Sequence, residues 1–138
     1  MNINNVLKTR DAKFNFLKGI IRIAKCDGIK DENEFIFYHH TAAAMGLLED
    51  DIALLNHVWE SNETIDVKFE ECKEKMFFFV QGIQLCWVDG KYEETEKIEI
   101  RKLANELNIS LDAIEKVEAW VREGMEWNIR GDLLLELV

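Results

Sequence analysis

Proline is absent from this 138-residue chain, and only seven glycines occur. Loop-rich β folds, collagen-like chains and disordered linkers use those residues as punctuation, so the composition excludes them and favours helices. Positive charge is scarce as well: 17 Lys and Arg stand against 27 Asp and Glu, a formal charge of −10. Nucleic acids and anionic membrane surfaces need a basic face, which this balance opposes, whereas cations and basic partners are accommodated. Apolar runs such as Met76 to Val80 are short. Lys or Arg interrupts each candidate span well before the roughly 20 residues that cross a membrane. The start, Met-Asn-Ile-Asn-Asn-Val-Leu-Lys, lacks the basic-then-apolar order of a secretory signal. Cys26, Cys72 and Cys86 are odd in number and without C-x-x-C spacing, which fits reduced thiols in a cytoplasm better than disulfides or zinc.

What the chain does have is a 48% hydrophobic content arranged at helical spacing. One all-α domain over residues 1–138 is expected, since a chain of this length buries roughly two-thirds of its unfolded surface. Phe16, Leu17, Ile20, Ile21 and Ala24 share one face of a helix over about 11–26, and Asp27-Gly28 stops it. Asp31 offers an N-cap for a second helix through Phe35, Tyr38 and Ala42, which ends near Gly46. A third covers 49–60 with Ile52, Leu55 and Trp59 on one side. The longest is expected over 66–87, with Phe69, Cys72, Met76, Phe79, Val80, Ile83 and Trp87 as its stripe. Helices over 93–107 and 111–127, the latter capped by Ser110, and a short one over 131–138 bring the expected bundle to about seven.

Superimposing the two Asp-Gly breaks shifts the chain against itself by 62 residues. Phe16 then falls on Phe78, Ile21 on Ile83, Glu32 on Glu94, Glu34 on Glu96, Ala42 on Ala104 and Ile52 on Ile114. Amphipathic helices share spacing by chance, but not turn residues in the same register. The expectation is an internal duplication, with units at about 11–60 and 66–127 packed as one bundle.

The repeated turn reads D-G-x-x-[DE]-E-x-E, at Asp27 to Glu34 and again at Asp89 to Glu96. Such carboxylates suit a hard divalent cation, calcium, magnesium or manganese. They equally suit helix capping, because Asp31 with Glu34 has capping-box spacing and a helix N-terminus favours negative charge. One turn supplies too few oxygens for calcium, and the pattern is not an EF-hand. On these residues the chain resembles the TerB-like family of bacterial tellurite-resistance systems. That resemblance implies an all-α bundle, divalent-metal involvement at Asp27, Asp31 and Glu34 and at Asp89, Glu93 and Glu96, and a role in bacterial stress responses. Cys26 and Val88 stand where family members commonly carry Ala before Asp-Gly, and Glu93 replaces a better N-cap.

Familiar enzyme signatures are missing from the sequence: it has no P-loop, dinucleotide fingerprint, His-Glu-x-x-His or paired Glu-x-x-His. His39 and His40 diverge by about 100° on a helix and do not chelate together; they and His57 read as surface or packing residues. Cys26 reads as a buried helix residue. Trp59, Trp87, Trp120 and Trp127 read as core. Trp120 and Trp127, seven apart, with Leu133 to Leu135 offer a dimer surface, although a tail that closes the bundle is the preferred reading. The expected function is a non-catalytic, cytoplasmic binding or adaptor module with a protein partner, cation-assisted through the turns; the alternative is a pure protein-interaction domain whose turns are caps. A hydrolase using paired carboxylates is the remote third reading.

Overall fold

The computed structural model describes residues 3–26, 28, 32–87 and 91–137, the side chains of residues 3, 4 and 32–34 excepted. The described residues form α1 (Ile3–Val6), α2 (Arg10–Ala24), α3 (Glu32–Ala44), α4 (Glu49–Glu60), α5 (Cys72–Cys86), α6 (Glu94–Glu106) and α7 (Leu111–Leu134). All but the one-turn α1 have twelve residues or more, and no strand occurs among the described residues.

Two boundaries depart from expectation; the second merges two of the seven expected helices into one, and the one-turn α1 is not among those seven. Residues 66–71 are extended rather than helical: Val67 is buried, and the Lys68 N–H donates to Asn15 Oδ1 at 2.9 Å, so tertiary contacts hold the segment out of the helix. Cys72, placed mid-stripe from sequence, is the exposed first residue of α5. The short terminal helix expected over 131–138 is instead the continuation of α7, which runs unbroken for 24 residues because nothing between Trp127 and Gly131 breaks it. Cys26 lies in the turn past α2 and is only half-buried.

Helices α2 and α5 cross at the centre. Phe16 meets Phe78 edge-on at 6.2 Å between ring centroids and Phe77 at 5.7 Å. Gly19 makes the crossing possible, since a Cβ there would collide with the Phe78 ring. Around this pair, Leu17, Ile20, Ile21, Phe79 and Ile83 are fully buried, each stabilising the fold by about 1.5–3 kcal/mol through burial. The helices α3 and α4 pack on α2, and α6 and α7 on α5.

Local devices recur 62 residues apart. Lys13 Nζ donates to the Met45 carbonyl past α3 at 3.0 Å, and Lys75 Nζ to the Leu107 carbonyl past α6 at 2.9 Å. Gly46 (φ 77°) and Asn108 (φ 59°) take the left-handed conformation that closes the same two helices, followed by Leu47 N–H to Ala42 O and Ile109 N–H to Ala104 O bonds.

Candidate functional site

Of the six carboxylates expected at the acidic turns, Asp27, Asp31 and Asp89 lie outside the described residues, and Glu34 is placed in α3 without a described side chain. Glu93 and Glu96 are described, and they form a capping box on α6. The Glu93 N–H donates to Glu96 Oε1 at 2.8 Å, while the Glu93 side chain accepts the N–H of Glu96. Glu71 and Glu74 cap α5 by the same device, with Glu71 N–H to Glu74 Oε1 at 3.1 Å. Each cap satisfies N–H groups that the first turn of a helix leaves unpaired. Among the described residues no group of three His, Cys, Asp or Glu side chains converges as a metal would require.

Polar side chains gather in two further places. At the end of α2, Arg22 is largely buried and joins three segments: its guanidinium donates to Glu99 and Glu106 of α6, each at 2.5 Å, and to the Ile65 carbonyl at 3.2 Å. Lys25 donates to the carbonyls of Val58 and Ser61, closing the end of α4. These groups line a cleft of about 360 Å³ with Cys26, residues 61–65 and Lys102. Arg22 and Lys25 spend their donors on the protein itself, so the cleft serves as a tie between α2, α6 and the 61–65 segment. Arg22 also holds the Glu106 carboxyl below its ordinary value. These partners lie 77 and 84 residues from Arg22, and no motif announces them.

The second place joins α3 to α4 and, correspondingly, α6 to α7. Tyr38 Oη donates to Asn56 Oδ1 at 2.8 Å, and His39 Nε2 lies 2.7 Å from the same oxygen, with the imidazole 4.4 Å from the Phe35 ring. At the corresponding positions 62 residues on, Arg101 makes two hydrogen bonds to Glu118, at 2.9 and 2.8 Å. Burial pushes the Tyr38 phenol well above its ordinary value, as does the Glu60 carboxylate; burial does the same to Tyr92, with Glu118 adding to it. Tyr38 packs against Trp59 in the core and Tyr92 against Trp87. Residue identity gives no hint of this correspondence, because a neutral group in one half stands where an ion pair stands in the other; only the three-dimensional arrangement joins each pair. His40 and His57 are exposed.

The four tryptophans divide. Trp59 is buried and Trp87 partly buried, as expected, whereas Trp120 and Trp127 are 51% and 70% exposed. The expectation that the tail closes the bundle is therefore corrected: Val121 is the last buried residue of α7, and the side chains from 122 to 137 are exposed except half-buried Met125.

Fold and polar arrangement together define an all-α bundle with carboxylate-capped helix starts. No protein-family model, curated protein or solved structure matches the chain.

Proposed function

We propose that this chain is a non-catalytic, acidic helical binding or adaptor module, assembled like TerB-type domains from a tandem helical unit, whose acidic turns serve as helix caps. The observation that carries the reading is the Glu93–Glu96 box, in which the two described carboxylates among the six candidate ligands are engaged with the backbone at the start of α6. The recurrence of the Lys13 and Lys75 bonds and of the Gly46 and Asn108 turns at the same 62-residue offset supports the tandem construction. With a charge of −10, such a scaffold presents an acidic exterior suited to a basic protein partner. The TerB-like resemblance supplies the context, a bacterial stress response.

A second reading, in which calcium, magnesium or manganese bound at Asp27, Asp31 and Glu34 and at Asp89, Glu93 and Glu96 assists partner binding, is supported by the repeated motif. Thermal unfolding of chelator-treated wild type and of an Asp27→Asn/Asp89→Asn variant, with and without each ion, separates the two. Capping predicts no ion response in the wild type, and a Glu93→Ala variant, which removes the described cap, is expected to lose about 1 kcal/mol whether or not an ion is present. An ion at about 100 times its Kd stabilises the native state by about 2.7 kcal/mol. A shift of that size that disappears in the Asp27→Asn/Asp89→Asn variant would overturn the capping reading in favour of the cation.

A further inference from the structure

From Arg122 to Leu137 every side chain is exposed except half-buried Met125. One face of this stretch repeats at heptad spacing as Trp120, Gly124, Trp127, Gly131 and Leu134, alternating large with small. Among the described residues, a Cβ added at either glycine would meet nothing within 4 Å. Glycine inside an exposed helix is unfavourable relative to alanine, and no described group fills the space it leaves. Toward its N-terminal end the face opens on an apolar depression of about 270 Å³ between α5 and α7, lined by Met76, Val80, Ala113, Lys116, Val117 and Trp120.

We propose that this face binds a second copy of the chain, with α7 lying antiparallel on α7 about a two-fold axis. In the register that sets Trp127 against Gly124 of the copy, Trp120 falls opposite Gly131 of the copy, so each indole enters a glycine notch. The same register carries Leu134 of the copy to the level of Val117, over the apolar depression. It also brings Glu123 beside Arg130 of the copy, twice by symmetry; neither residue joins an ion pair among the described residues. Sliding by one heptad sets Arg130 beside Arg130, and a parallel pairing stacks tryptophan on tryptophan and leaves glycine facing glycine. Shape and charge thus select one arrangement. The exposed area agrees: the chain presents 8764 Å², whereas a compact monomer of 16.2 kDa presents roughly 7,500 Å². The excess is of the order of the roughly 800 Å² that each partner contributes to a standard interface. The pairing does not depend on how the acidic turns are used.

Sedimentation velocity of the full chain over a concentration series tests the pairing, with circular dichroism as the control for folding. The wild type is expected at twice its 16.2 kDa mass. Trp127→Glu, an exposed position, is expected to keep its helicity and to weaken association roughly 30-fold or more, as removal of a central aromatic anchor does. Glu123→Arg and Arg130→Glu each weaken it, and the double exchange restores it. Gly124→Leu, which favours the helix, breaks the dimer by filling the notch. A wild type that stays monomeric throughout, leaving the face to a different partner, overturns the proposal, as does a dimer indifferent to Trp127→Glu. Single exchanges that weaken without rescue in the double variant overturn the antiparallel register.

Discussion

Helices α2 to α4 and α5 to α7 meet the same structural demands with different chemistry. Thr9 Oγ1 caps α2 by accepting the Ala12 N–H at 3.1 Å, whereas α5 is capped by the Glu71–Glu74 box. The last two helices of each half are joined by the neutral Tyr38, His39 and Asn56 group in the first and by the Arg101–Glu118 ion pair in the second. A glycine closes α3 and an asparagine closes α6. What repeats is therefore the position at which the backbone needs a partner or a left-handed residue, while the residue type varies among those able to supply it. The halves differ most after their last core residue. Helix α4 ends at Glu60, one residue past buried Trp59, and the chain turns back through 61–71 to start α5; α7 continues to Leu134, well past Val121, its last buried residue.

If the halves are mechanical equals at their centre, Phe16→Ala and Phe78→Ala will each cost about 3–5 kcal/mol in urea unfolding, the range for emptying an aromatic from a packed core. A loss several-fold smaller at Phe16 would break the equivalence, because both rings are buried in the same crossing. A smaller and sharper comparison is Lys13→Met against Lys75→Met. Each removes one bond to a helix-closing carbonyl, and a matched loss of about 1 kcal/mol is expected; unequal losses would show that the shared bond does not carry the same load in both halves.

The smallest effect exposes an asymmetry. Glu106 pairs with Arg22, but the residue 62 positions earlier is Ala44, so only the second half carries this carboxylate. Arg22 lowers the Glu106 pKa in the folded state from its ordinary 4.5. Its stabilisation is therefore complete above that value and is lost as pH falls through the lowered one. Glu106→Gln should destabilise the protein at neutral pH by less than about 1 kcal/mol, since the carboxylate is half-exposed. The gap to wild type should close in strong acid; a gap that persists there would assign the loss to packing instead of charge.

Much of this organisation was legible in residue order. The stripe Phe16, Leu17, Ile20 and Ile21 is buried as its spacing requires, and Tyr38, Ala42, Leu55, Trp59 and Ile83 are buried as well. Ser110 caps α7 where it was expected to. Less legible was the start of α5, because Phe69 fits a helical stripe yet sits in an extended segment held by Asn15 and by burial of Val67. The fate of Trp120 and Trp127 was illegible for a related reason: helical periodicity identifies an apolar face but not whether anything lies against it.

The sequence by itself determined that this chain is helical, where most of its helices lie and which residues line the core, because local periodicity, capping and turn chemistry act over a few residues. Only the tertiary structure decided which long-range partners meet. It gave Arg22 to Glu99 and Glu106, engaged Glu93 and Glu96 in a cap and left the end of α7 bare. Those outcomes depend on how helices distant in sequence cross, and at the centre that crossing turns on the absence of one Cβ at Gly19 beneath the ring of Phe78.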